Sequence, residues 1–466
     1  MIPRLPMPGL RRLRRGALLL LLSAAGLAQA QLQGPSVTRR PAAFETHLLF
    51  AGSDDVHGHE LWRTDGTPAG TRLVRDVQPG AGGAYPGELL RVGNRAFFTA
   101  DDGRTGLELW TTDGTPEGTR IVKDLRPGPE GSMPGALIEF DGDLFFVADD
   151  GESGFELWRT DGTAQGTRRV ADIWPGMHAS MPRVLTVVGK RLHFIADDGR
   201  HGAELWVSDG TARGTRLVAD LNPGHALTRF DSLFAAGETL YFVAHDEAHG
   251  AELWATDGSP AGTRLVKDIR MGINGSAPRD LVRIGGTLYF GAHDGRAGAE
   301  LWKSDGTEAG TVMVKDVDPR RYRQSAPREL TAVGDALYFI ADDAEGTALW
   351  RSDGSAEGTV AVKRLPTVAT PSQPTGLTRF KEGVVWAWPD GETGLRAWRS
   401  DGIEAGTRPI EGVPGAKASP PRHFMAFGDA LVFVADDAAG VSRLWLLDKE
   451  GARPLLAQKA ASRAAE

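Results

Sequence analysis

A tryptophan returns every 48 residues: Trp62, Trp110, Trp158, Trp206, Trp254, Trp302, Trp350 and Trp398, with the last step to Trp445 one residue shorter. The phrase around it is nearly constant. It reads ELWRTDGTPAGTRLVRDV from Glu60 to Val77 and ELWKSDGTEAGTVMVKDV from Glu300 to Val317. A period in this range means one supersecondary unit stacked many times, each burying its apolar faces against its neighbours.

The unit reads as four short strands. Between Gly87 and Leu125, the apolar run Leu89 to Val92 is followed by a Gly93-Asn94 turn and the aromatic run Arg95 to Ala100. A glycine-bearing loop at Asp101 to Gly106 leads to Leu107 to Thr112, and a second loop at Asp113 to Gly118 leads to Thr119 to Leu125. No run carries the 3.6-residue apolar spacing of a helix. Four-stranded units in series predict an all-β β-propeller, with the tryptophan filling the space between blades. Nine units favour nine blades. Eight blades with one repeat outside the ring, or two smaller rings, are the alternatives.

Residues 1–30 stand apart. Arg4, Arg11, Arg12, Arg14 and Arg15 precede the apolar stretch Ala17 to Leu27, and Ala28-Gln29-Ala30 has the form of a cleavage site. The expected division is a signal peptide over 1–30, a linker over 31–40, the propeller over 41–458 and a tail over 459–466. The protein is expected to be exported, with no integral membrane segment once the leader is cut, and to be a monomer. Removing five arginines takes the formal charge from -8 to -13. That acidity argues against a nucleic-acid partner. The chain has no cysteine, which excludes disulfides and thiol chemistry.

The phrase ELW-x-[ST]-DGT-x-x-GT resembles that of the bacterial ELWxxDGT repeat proteins, across roughly residues 45 to 458. The resemblance implies an exported, propeller-like repeat protein and carries no established activity. The pattern decays late in the chain. Ala348 and Arg396 replace the glutamate, and the last unit reads RLWLLDKEG from Arg443 to Gly451.

Aspartates recur with the tryptophan. One set follows it by three residues: Asp65, Asp113, Asp161, Asp209, Asp257, Asp305, Asp353 and Asp401, with Asp448 in the last unit. These are read as turn builders, because an Asp side chain bonds turn N–H groups and favours Asp-Gly turns. A second set precedes the tryptophan by eight residues, and a third follows it by fourteen in the first six units: Asp76, Asp124, Asp172, Asp220, Asp268 and Asp316. In an up-and-down blade the second and third sets share a face with the long links, and the first set lies opposite. The pairs Asp101-Asp102, Asp149-Asp150 and Asp197-Asp198 set carboxylates side by side in a glycine loop, which makes calcium a possible ligand. His57, His201 and His249 share one loop position and read as variable surface residues.

No nucleophile elbow, zinc-binding helix or phosphate loop occurs. A carboxylate pair repeated nine times does not make one active site, so an enzyme is disfavoured. The links share little at the sequence level, and loops on a rigid scaffold carry specificity. They are the expected binding face, with the basic, aromatic run Arg320, Arg321, Tyr322 and Arg323 as its candidate patch. The expected function is non-enzymatic binding of a protein or polysaccharide. A glycan-acting hydrolase or lyase and a structural matrix component are the alternatives.

Overall fold

The computed structural model describes residues 36–37, 40–67, 69–223, 228–320, 324–366, 375–389, 394–413, 420–437 and 439–455. The expected leader and the tail lie outside the described residues. The fold is a nine-bladed β-propeller of four-stranded antiparallel sheets, with no helix among the described residues. Blade 2 contains Gly87–Val92, Arg95–Asp101, Leu107–Thr112 and Arg120–Ile121, hydrogen-bonded in chain order. Blades 3 to 9 follow the same order over residues 135–169, 183–219, 229–267, 279–315, 328–364, 375–409 and 422–454. First strands of neighbouring blades lie against one another and so line the centre of the ring.

Blade 1 begins earlier than the expected boundary at residue 41. Its inner strand comes in two pieces, Ser36–Val37 and Ala42–Ala43, both antiparallel to Leu48–Asp54; Gly58–Thr64 and Arg72–Arg75 complete the blade. Fourth strands are shorter than their sequence suggested, only two residues in blades 2, 3 and 8. The outer strand has a partner on one side alone. In blade 2 it still continues past its assigned end, with the Val122 N–H donating to the Leu109 carbonyl at 2.8 Å.

The core is divided among the blade interfaces. Second strands bury side chains of both parities, as in Phe97, Phe98 and Ala100, because each sheet is covered on both faces. On the third strand successive residues point opposite ways. Leu109 packs toward blade 3 beside Leu144 and Phe146, whereas Trp110 packs toward blade 1 beside Leu49 and Leu61. The same division recurs around the ring. It closes through a cluster that joins Leu48, Phe50 and Trp62 of blade 1 to Val432, Val434 and Leu444 of blade 9.

First strands hold a feature the sequence did not announce. In blades 2 to 4 and 6 to 9 the ladder slips by a bulge near the start, as between Gly135 and Ile138, and the second residue takes a left-handed backbone. Glu88, Ala136, Val184, Asp280, Glu329 and His423 all have φ between 33° and 59° there. Such a conformation is strained for residues with a Cβ and persists only where its surroundings hold it.

Candidate functional site: two faces built from repeated carboxylates

Second-turn loops and links emerge together. In blade 2, a Cβ on Gly106 of the second turn would overlap Pro129 and Gly131 of the link. The glutamate of each ELW phrase, to which the sequence assigned no role, organises this face. Glu60, Glu108, Glu156, Glu204, Glu252 and Glu300 are fully buried. Glu108 accepts from the N–H groups of Arg126 (3.2 Å) and Ser132 (2.9 Å) and from the Ser132 hydroxyl (2.5 Å). Glu156 accepts from Ile173 N–H, Ser180 N–H and the Ser180 hydroxyl. Glu252 and Glu300 do the same with Ser276 and Ser325, and Glu204 takes the Thr228 hydroxyl.

The links therefore share more than their sequences showed. Ser132-Met133-Pro134, Ser180-Met181-Pro182, Ser276-Ala277-Pro278 and Ser325-Ala326-Pro327 are one device, matched by Ala84-Tyr85-Pro86 in blade 1. The middle residue is left-handed in all five. Its N–H reaches back to the third strand, as Met133 does to the Leu107 carbonyl at 3.1 Å. A Ser-x-Pro recurring 24 or 25 residues after four of the six glutamates was the available signal.

Burial dominates the glutamates and raises their pKa values, against the pull of these donors. It reaches about 7 at Glu156 and Glu204 and about 6 at Glu252. The second-turn aspartates go the other way. Burial raises Asp102, but donors outweigh it: the N–H groups of Thr105 and Arg104 and the Thr105 hydroxyl hold the carboxyl below its ordinary value. Asp150 is bound alike by Glu152 and Ser153. Asp101, Asp149 and Asp197 each accept a glycine N–H two residues on. His57, His201 and His249 occupy the position of Thr105, with Nδ1 within 2.7 to 2.9 Å of Asp54, Asp198 and Asp246. They close the loop rather than vary idly. The calcium expectation is not assembled: among the described residues no three His, Asp or Glu side chains converge in a metal-holding group. Asp76, Asp220, Asp268 and Asp316 each keep a buried Oδ1 with no hydrogen-bond partner among the described residues.

On the opposite face the DGT turn explains its own consensus. Asp113 Oδ1 accepts from the Thr115 N–H (2.9 Å) and hydroxyl (2.6 Å). The Thr115 hydroxyl in turn receives the Gly118 N–H, and Thr112 Oγ1 meets both Gly114 N–H and Thr119 Oγ1. A Cβ on Gly118 would overlap the Asp113 carboxylate, so that glycine is required. Equivalent bonds recur from Asp65 to Asp353. Asp401 keeps only the Ile403 N–H (3.2 Å), because isoleucine lacks the hydroxyl. Cations of the preceding blade hold the turns of blades 2 to 7: Arg63 donates to the Gly114 carbonyl and Lys267 to that of Thr311.

Of the basic patch expected from the sequence, Arg320 alone is among the described residues. Arg320 makes two bonds of 2.6 Å to Asp318, which is 3% exposed. Arg321, Tyr322 and Arg323 lie outside the described residues. Exposed apolar side chains also lie on this face. Of the eleven exposed large hydrophobic residues among the described residues, eight (Val56, Tyr85, Met133, Met177, Met181, Val184, Met271 and Ile273) lie on the link side or at its inner rim.

No family model matches this chain, and no curated protein does. Among solved structures it is similar to a puromycin hydrolase at 15% identity and a TM-score of 0.37, covering 78% of this chain and 58% of that one. A structure from a study of two prolyl endopeptidases gives 14% and 0.41, over 81% and 56%. A puromycin-hydrolysing peptidase of Mycobacterium tuberculosis gives 14% and 0.37, over 85% and 62%. The chain spans less than two thirds of each of these structures. At such distance the likeness assigns no activity. Among the described residues no helix is long and apolar enough to cross a membrane.

Proposed function

We propose that this chain is an exported, non-enzymatic propeller scaffold that binds a protein or polysaccharide through the links between its blades. One observation carries the reading: the exposed methionines and Tyr85 sit on links whose backbones are fixed from beneath by buried glutamates. A rigid base with adaptable apolar tips suits a protein ligand in particular, since methionine repacks against varied partners. The repeated carboxylates build turns and links, and that supports binding over catalysis. The test is capture from an envelope extract, alongside a glycan array, by wild type and by Met133→Ser/Met181→Ser/Met271→Ser. Loss of capture in this variant, with retention in Ile403→Ser on the other face, is expected. Equal capture by all three proteins sinks the reading.

The glycan-hydrolase alternative has one observation of its own. Asp280 and Glu329 sit at adjacent inner-strand bulges, and burial raises both carboxyls, with Asp280 adding to the rise at Glu329. Glu329 nevertheless accepts the Leu377 N–H, as Glu88 accepts that of Leu137, which is a blade-joining contact. Turnover of any glycan that Glu329→Gln abolishes would establish the alternative.

A further inference from the structure

On the DGT face the ring has one vacated position. In blades 2 to 7 the third turn lies over the preceding interface, and that interface supplies a donor to it. The residue after the repeat tryptophan donates to the glycine carbonyl of the next turn: Arg63 to Gly114 (3.1 Å), Arg159 to Gly210 (3.3 Å), Lys303 to Gly354 (2.9 Å). The arginine opening the fourth strand does likewise: Arg120 to Gly162, Arg216 to Gly258, Arg264 to Gly306, at 2.8 to 3.0 Å. A ring from the second strand supports the same glycine, such as Tyr241 under Gly306 and Tyr289 under Gly354.

Blade 9 lacks that turn. Its third and fourth strands are joined tightly, with Asp448 paired to Gly451, so the chain never covers the interface with blade 8. Counting from the tryptophans, Arg399 and Arg408 hold the two donor positions of blade 8, and Val385 stands where blades 2, 3, 5, 6 and 7 place a tyrosine or phenylalanine and blade 4 places His193. The result is a cavity of about 630 Å³ lined by Val385, Arg399, Arg408, Lys381, Asp401 and Lys449, among others. A second, of about 580 Å³, lies between blades 9 and 1 and shares Lys381, Asp448 and Lys449.

The donors are unoccupied. Among the described residues Arg399 has no hydrogen-bond or ion-pair partner, and Arg408 has only the exposed Glu411 at 3.9 Å. Lys381 rests over the Phe380 ring at 5.3 Å. Of the acidic groups in the lining, Asp448 is already paired with Arg453 at 2.7 Å and Asp401 is bonded to the Ile403 N–H; Glu382 is exposed. Cations therefore prevail locally in an acidic protein.

We infer that this cleft is a socket for an acidic peptide turn of a partner protein. Each sister interface seats its turn through one of these two cation positions, which defines the occupant: a turn offering a backbone carbonyl to Arg399 or Arg408 and a carboxylate toward Lys381 and Lys449. A guanidinium left without an acceptor favours such a ligand, and its planar fork fixes the ligand's orientation. The socket opens opposite the links, so it stands or falls independently of the link-face reading.

The probe is the capped peptide SDGTEAGT, the chain's own residues 304–311, titrated by calorimetry into the full-length protein. Saturable binding is expected, weakened about tenfold or more in Arg399→Ala/Arg408→Ala, which corresponds to the loss of roughly one charge-assisted contact. Arg104→Ala, on the opposite face, should bind like wild type. Replacing Lys449-Glu450 by Gly-Thr-Glu-Ala-Gly-Thr restores the missing turn; it should raise the melting temperature and abolish peptide binding. If the double alanine variant fails to fold, Arg399→Lys/Arg408→Lys and the restored-turn protein give the same reading. No saturable binding by wild type, or binding untouched by both arginine changes and by the restored turn, overturns the inference. Binding of an oligouronate in place of the peptide overturns it in favour of a saccharide site.

Discussion

Blades 1 to 6 and blades 7 to 9 solve the same packing problem with different polar chemistry. In the first group a buried glutamate gathers the link's N–H groups and, in blades 2 to 6, a serine or threonine hydroxyl. In the second that position holds Ala348, Arg396 and Arg443. Ion pairs replace the carboxylate there. Arg364 bridges Asp343 (2.6 Å) and Glu345 (3.0 Å), and Arg443 reaches Asp437 at 3.2 Å. The apolar interfaces do not change with this exchange: Trp350, Trp398 and Trp445 are as buried as Trp110 or Trp158. Apolar packing thus sets the ring, and the glutamate sets the shape of the links.

The largest effect should ignore the division between the groups. Trp110→Ala and Trp398→Ala each remove a side chain packed between blades and should each cost about 3–5 kcal/mol. Urea denaturation of the two variants measures this. A much smaller loss at Trp398 would break the claim that packing is uniform around the ring. The next effect should divide the groups. Glu156→Ala strands three buried donors and should cost about 2–4 kcal/mol. The reverse change, Ala348→Glu, places a carboxylate in a fully buried site where Thr347 and Leu365 already pair through the backbone, and should destabilise. Ala348→Glu gaining stability would show that blade 7 keeps the same donors in waiting.

Acidification separates the groups more finely. Glu156 and Glu204 hold pKa values of about 7 and Glu252 about 6, above the 4.5 of an unfolded glutamate. The folded state therefore binds more protons between these limits, and its stability rises as pH falls from 7.5 toward 5, by roughly 1–3 kcal/mol for each strongly shifted glutamate. Aspartates with lowered values, such as Asp102 and Asp150, contribute stability that is lost only as pH falls through and below the ordinary value of 3.8. Melting temperature should thus peak in mild acid. In Glu156→Gln/Glu204→Gln/Glu252→Gln the rise between pH 7.5 and 5 should flatten, whatever the absolute stability of that variant. An unaltered rise would assign the pH response to other groups.

What the sequence made legible was local. The strands of blade 2 and the DGT turn depend on apolar runs and on turn residues within a few positions, so Asp113, Gly114 and Gly118 were readable by their chemistry. The Glu108–Ser132 contact joins residues 24 apart, in a link whose other positions vary, and so escaped notice. The left-handed inner-strand residues were harder still. Glu88, Val184 and His423 have nothing in common as residue types, because the bulge is imposed by pairing with the second strand. The socket at Arg399 followed from a missing turn that the DKEG sequence displayed, but the donors it leaves exposed emerge only when neighbouring blades are compared.

The smallest effect tests the turn face across the same division. Asp113 accepts both the N–H and the hydroxyl of Thr115, whereas Asp401 accepts the Ile403 N–H alone. A solvent-accessible turn bond is worth about 0.5–1.5 kcal/mol net, so Asp113→Ala should cost about 1 kcal/mol and Asp401→Ala less than half of that. Asparagine keeps the accepting oxygen, and Asp113→Asn should lose only a few tenths of a kcal/mol by the same reasoning. Placing threonine at residue 403 supplies the absent hydroxyl. Ile403→Thr should then make the cost of Asp401→Ala approach that at Asp113, a coupling that a double-mutant cycle in urea reads directly. If the cost at Asp401 does not change, the hydroxyl is incidental, and the DGT threonine is kept for its bond to the Gly118 N–H instead.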